Sequence, residues 1–176
     1  MLAEQFDVFL FDLDGVVYLG DRALAHAPAS LDRLRRRGKT VRFLTNDPRP
    51  TRAQIVARLA AIGIAVGIDE VVTSGWATGR YLQQHALSSA YVIGSAGLVS
   101  EIEQAGIAVV AHGRPDVVVV GCDEHVSYQH MRRAAAFMVR GLWRRTLIAR
   151  SRARPVAYRR RAPSWQRFRW PRTASR

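Results

Sequence analysis

Two aspartates stand two residues apart in the string Phe9-Leu10-Phe11-Asp12-Leu13-Asp14-Gly15, a spacing at which carboxylates can act on one centre. In an extended segment residues i and i+2 point to the same side, so Asp12 and Asp14 converge on one point where their strand ends. Like charges held together repel, and a proton or a hard divalent cation with oxygen ligands, such as Mg²⁺, is the usual compensation. A strand-ending turn in which Asp caps a backbone amide accounts for the same spacing without chemistry. Asp123, Glu124, His125, His130 and Cys122 also cluster in sequence. None of their spacings matches a transition-metal ligand pattern, and they read as a helix-start turn and a solvated helix face.

The acids need a strand to carry them. Residues 6–11 form an apolar and aromatic run broken only by Asp7, which predicts a strand buried on both faces. Ala27, Leu31 and Leu34, with arginines between, predict a helix over 27–37 closed by Gly38. Residues 41–44 predict a second strand, running into Thr45 and Asn46. Thr51 followed by Gln54 is a capping box, opening a helix through Ile55, Leu59 and Ile62 that stops at Gly63. A third short strand at 71–72 leads into a helix through Tyr81 and Leu82. The alternation then restarts, with strands at 91–93, 107–110 and 117–120 and helices at 98–104 and 128–140. Strands alternating with ten-residue helices imply an α/β fold with a parallel, Rossmann-like sheet, whose carboxyl edge is where ligands bind. The polar cluster Gln83-Gln84-His85 places a boundary there, giving units at 1–84 and 85–140.

Charge divides the chain differently. No acidic residue follows Glu124, whereas twelve of the 27 Lys and Arg residues lie from Gly141 onward, so almost all of the net charge of +13 belongs to the last segment. Residues 1–140 are near neutral, and the global charge is silent on what they bind. A single cysteine, Cys122, excludes an internal disulfide framework. No basic leader precedes the first apolar run, and no stretch approaches the ~20 apolar residues of a membrane helix. A cytoplasmic protein without membrane attachment is expected.

Residues 9–18, Phe-Leu-Phe-Asp-Leu-Asp-Gly-Val-Val-Tyr, closely resemble motif I of the haloacid dehalogenase superfamily of phosphotransferases, and Phe43-Leu44-Thr45-Asn46 resembles its motif II. The turn at 17–20 and the loop Thr45-Asn46-Asp47-Pro48-Arg49 look most like the capped subgroup that contains the N-acetylglucosamine operon, p-nitrophenyl and phosphoglycolate phosphatases. The resemblance covers residues 5 to about 140, including a cap-like segment at 117–128. It implies a partial core sheet followed by an incomplete α/β cap, acting on a small phosphorylated metabolite. It also implies Asp12 as nucleophile, Asp14 as acid and base, Thr45 and Asn46 facing the phosphoryl group, and Mg²⁺ held by Asp12, the main-chain carbonyl of Asp14 and one further acid. A carboxylate can attack phosphorus only when a cation offsets their repulsion.

The family pattern also needs a motif III lysine and motif IV acids. The only lysine, Lys39, enters the second strand at the opposite, amino edge, so it cannot serve, and a weak or inactive phosphatase is expected. Residues 141–176 show no sustained helix or strand period and include Trp143, Trp165 and Trp170. Three origins fit them: a reading-frame shift in a GC-rich gene that truncates the family sequence, since Arg outnumbers Lys 26 to 1; an Arg/Trp arm binding nucleic acid through phosphates and base stacking; and a solvated tail without a partner.

Overall fold

The structure is a computed structural model that describes residues 2–137 and 146–148. A short helix α1 (Leu2–Gln5) leads into β1 (Val8–Asp12). The chain then forms a hairpin, β2 (Tyr18–Leu19) and β3 (Arg22–Ala23), before α2 (Ala27–Arg36), β4 (Thr40–Thr45), α3 (Arg52–Ala61) and β5 (Val71–Thr73). The second half runs α4 (Ser74–Gln84), β6 (Ser89–Ile93), α5 (Ala96–Gln104), β7 (Ala108–Val109), β8 (Val117–Val120), α6 (Tyr128–Phe137) and β9 (Thr146–Ile148).

Two parallel sheets result, in the orders β1-β4-β5 and β7-β6-β8-β9. The predicted helix signals operate as read. Thr51 Oγ1 accepts from the Gln54 amide at 3.2 Å while Gln54 Oε1 accepts from the Thr51 amide at 2.8 Å, opening α3. Gly38 and Gly63, at φ +69° and +82°, end α2 and α3 in the left-handed conformation that favours glycine.

The core of the first sheet lies on one face only. Phe11, Val41, Phe43 and Val71 pack there with Leu31 of α2 and with Ile55 and Leu59 of α3. The expectation that the first strand is buried on both faces is therefore corrected. Val8 is 55% and Leu10 63% exposed, and among the described residues β1 pairs with β4 alone. An apolar run is the same whether one or both faces are covered; α2 and α3 both take the face of Phe11 and Phe43, and among the described residues nothing covers the other.

The second sheet buries Ala90, Val117 and Val119 with Leu98 and Ile102 of α5 and Leu82 of α4. α4 meets α5 through Gly75 and Gly79, where a Cβ on Gly79 would lie 2.9 Å from the Glu101 carbonyl. On its other face Tyr91 and Val118 pack with Ala134 of α6, and Tyr91 meets Phe137 edge-on at 5.2 Å between centroids. Two elements depart from expectation. The β2–β3 hairpin replaces a simple turn, its strands being too short for any alternation to register. β9 lies inside the segment read as a tail without strand period, paired parallel to β8 with Val119 opposite Leu147. The rest of 141–176, and the last three residues of the helix expected over 128–140, lie outside the described residues.

Candidate functional site

β1 ends at Asp12, and the pleat continues one step further. Leu13 is fully buried while Asp12 and Asp14 on either side are exposed, so one buried leucine sends both carboxylates outward. Asp12 Oδ1 also accepts from the Leu13 amide at 2.9 Å, so the turn-capping role is present as well. Behind the acids the chain folds tightly. The Leu13 carbonyl accepts from the Val16, Val17 and Tyr18 amides, and the Gly15 amide donates to the Tyr18 carbonyl at 2.7 Å. Asp14 bridges to Tyr18.

β4 brings the second segment alongside. Asp12 pairs with Leu44, and Thr45 pairs with the buried Thr73 of β5, so Asp12, Thr45 and Asn46 share the carboxyl edge of the sheet. Thr45 Oγ1 accepts from the Asp47 amide at 3.2 Å, a bond that leaves its own hydrogen unused. The Asn46 carbonyl accepts from Ser74 Oγ at 3.2 Å. Lys39 sits at the opposite edge, paired with Asp7 at 2.8 Å, which holds the Asp7 carboxyl below its ordinary value. Asp123 lies before α6, where its Oδ1 accepts from the His125 amide at 2.8 Å, and Ser127 and His130 cap each other at the start of that helix.

Four residues that the sequence reading did not single out for the site, Asp47, Arg49, Arg58 and Tyr18, interact with one another. Asp47 binds Arg49 in a fork, with contacts of 2.7 to 3.1 Å. Burial works to raise the Asp47 carboxyl, but the hydrogen bonds and charge of Arg49, with Arg58 behind it, outweigh burial and hold it below the usual range. Arg58 lies 4.8 Å over the ring of Tyr18. Burial pushes the Tyr18 phenol up, with Asp14 and Asp47 adding to the rise and Arg58 opposing it. Tyr18 thus feels the charges of Asp14, Asp47 and Arg58, and Asp47 that of Arg58. The loop position of Asp47 was legible; Arg58 was not, because it arrives through the packing of α3 across the hairpin.

Asp12, Asp14 and nearby carbonyls offer the hard oxygen donors that suit Mg²⁺, an ion that keeps several waters and binds through one or two carboxylates. Among the described residues no group of three His, Cys, Asp or Glu side chains gathers to hold a metal. The donor set fits the ion in kind, through the Asp12 carboxylate and a main-chain carbonyl such as that of Asp14.

The family model for haloacid dehalogenase-like hydrolases matches residues 9–108, which include both acids, Thr45, Asn46 and the first strand of the second sheet, β6. The chain belongs to this family. The human glycerol-3-phosphate phosphatase is 34% identical over 165 residues, covering 78% of this chain and 51% of that protein. A 4-nitrophenylphosphatase from Thermotoga maritima superposes with a TM-score of 0.78 at 26% identity, over 85% of this chain and 56% of its own. A glycerol phosphate phosphatase from Mycobacterium tuberculosis, solved in complex with magnesium, superposes with a TM-score of 0.74 at 26% identity, over 85% of this chain and 45% of its own. The chain spans about half the length of the curated relatives it matches. The haloacid dehalogenase-like fold assigned from two short strings thus extends through both sheets.

Proposed function

We propose that this chain carries the nucleophile side of a phosphate monoester hydrolase site. The observation that supports it is the outward pair Asp12 and Asp14 around buried Leu13, at the sheet edge that also holds Thr45 and Asn46. In this reading Asp12 Oδ attacks phosphorus, the ester P–O bond breaks, and Asp14 gives its proton to the leaving oxygen. Asp14 then takes a proton from the water that attacks the aspartyl-phosphate, releasing phosphate and restoring Asp12. The Thr45 hydroxyl donates to a phosphoryl oxygen, and Asn46 faces the same group. Bound Mg²⁺, held by Asp12 and the main-chain carbonyl of Asp14, supplies charge neutralisation. The relatives named as phosphatases of glycerol 3-phosphate and 4-nitrophenyl phosphate support a small phosphorylated substrate.

Turnover by this chain is low in the same reading. Its one lysine is tied to Asp7 at the wrong edge, and no third acid joins Asp12 and Asp14 among the described residues. Each missing charge contact removes several kcal/mol of transition-state stabilisation, on the order of 10²–10³ in rate. The site itself is tested by titrating Mg²⁺ into the labelled protein. Shifts are expected at the amides around Asp12–Gly15 and at Thr45, lost in Asp12→Asn; a response confined to other surfaces removes the reading.

A second reading rests on the twelve arginines from Gly141 onward. They would bind a polyanion such as nucleic acid, with affinity falling steeply with salt and absent after deletion of residues 141–176. Binding that ignores salt removes it.

A further inference from the structure

The loop after β4, which presents Thr45 and Asn46, is held from the second α/β unit. Ser95, the N-cap of α5, has its Oγ 3.1 Å from the Arg49 carbonyl and 3.3 Å from that of Pro48. The same oxygen accepts from the Leu98 amide at 3.3 Å, so one hydroxyl both caps α5 and binds the loop. One turn further, Glu101 is only 2% exposed, a burial that a carboxylate tolerates only when paired. Its Oε1 accepts from the Arg52 amide at 2.5 Å, at the first residue of α3. Its Oε2 lies 3.6 Å from Arg52 Nε, whose guanidinium stacks over Trp76 at 5.0 Å.

The buried carboxylate thus sits at the positive end of α3 with a guanidinium beside it, satisfying an amide the helix leaves without an internal partner. Gly97 closes the contact. A Cβ there would meet the Arg49 carbonyl oxygen at 2.0 Å, so only glycine admits this approach. On the other side of the loop, Arg49 reaches Glu124 at 3.6 Å, and a Cβ on Gly121 would come to rest 3.8 Å from Pro48 Cβ.

From the Arg49 carbonyl the connection runs inward along hydrogen bonds. The Arg49 amide and side chain bind the Asp47 carboxylate, and the Asp47 amide binds Thr45 Oγ1. We propose that Ser95, Gly97 and Glu101 are positioning residues: the second unit fixes the conformation of residues 45–52 and so aims the Thr45 hydroxyl. As far as it concerns phosphate, this rests on the reading of Thr45 under the proposed function. The mechanical part does not. The unit identified as a cap then shapes the floor of the site as well as any ceiling.

Ser95→Asp separates this role from helix capping. Aspartate keeps an acceptor for the Leu98 amide but has no hydrogen for the Pro48 and Arg49 carbonyls. In the full chain, amide exchange at Asp47 and Arg49 is expected to quicken about tenfold in Ser95→Asp, the scale of one lost charge-free hydrogen bond. Leu98 should stay protected. Gly97→Ala should quicken the same two amides, and Glu101→Gln should loosen Arg52 as well. Inorganic phosphate titrated into the wild type reports on Thr45 separately. If phosphate leaves the 45–47 amides unmoved while Ser95→Asp speeds their exchange, the phosphate reading falls and the clamp stands. If exchange at Asp47 and Arg49 is unchanged in both Ser95→Asp and Gly97→Ala, the clamp is overturned.

Discussion

Buried Leu13 gives Asp12 and Asp14 their common direction, and a comparable single-residue device operates at Asp116. Its Oδ2 accepts from the amides and hydroxyls of Ser88 and Ser89 at 2.8 to 3.1 Å, joining the starts of β6 and β8. Those bonds, the Ser88 amide first, hold the Asp116 carboxyl below its ordinary 3.8. A depressed carboxyl stabilises the fold at pH above its unfolded value, and the effect is lost as pH falls through the folded value. Unfolding followed by denaturant should therefore show Asp116→Asn less stable than the wild type at neutral pH. The difference should shrink below about pH 3.8, the unfolded value; a gap independent of pH would count against it. At this scale the sequence revealed the acidic pair, since i and i+2 geometry is local. It could not reveal Arg58 or Glu101, whose partners are fixed only when α3 and α5 pack.

Among the elements, the contact of α4 with α5 rests on small residues. The Gly79 Cα faces the Glu101 carbonyl and the Ala105 methyl so closely that one added carbon would sit 2.9 Å from each. Gly79→Ala, which an isolated helix would favour, is expected to destabilise the protein by about 1–3 kcal/mol through overpacking against backbone. Equilibrium urea unfolding measures it; a neutral or stabilising result would mean that α5 shifts freely. Helix caps were legible because Thr51 and Gln54, or glycine after a periodic run, carry their partners within a few residues. The hairpin and β9 were not, for strands of two or three residues hold no periodicity. The exposed face of β1 was misread because Val8 and Leu10 are as apolar as a covered strand would require.

For the whole molecule, charge divides the sequence into a near-neutral stretch and a basic segment from Gly141 onward, yet β9 of that segment pairs with β8 in the second sheet. The family was legible from two strings because each lies at a strand end of one sheet edge, a placement that the parallel pairing of β1 with β4 bears out. What the charges compose at that edge decides the chemistry. Arg58 and the Asp47–Arg49 pair flank Tyr18 and the loop after β4, while Lys39 is spent on Asp7 at the far edge. On the proposed reading, Asp12 as nucleophile and Asp14 as proton donor, without a lysine at that edge among the described residues, should bind phosphate esters better than they cleave them. The most direct test is turnover of p-nitrophenyl phosphate by the full chain, with Mg²⁺ and with chelator, beside Asp12→Asn. The account predicts release indistinguishable from the Asp12→Asn background under both conditions; Mg²⁺-dependent turnover that disappears in Asp12→Asn would contradict it.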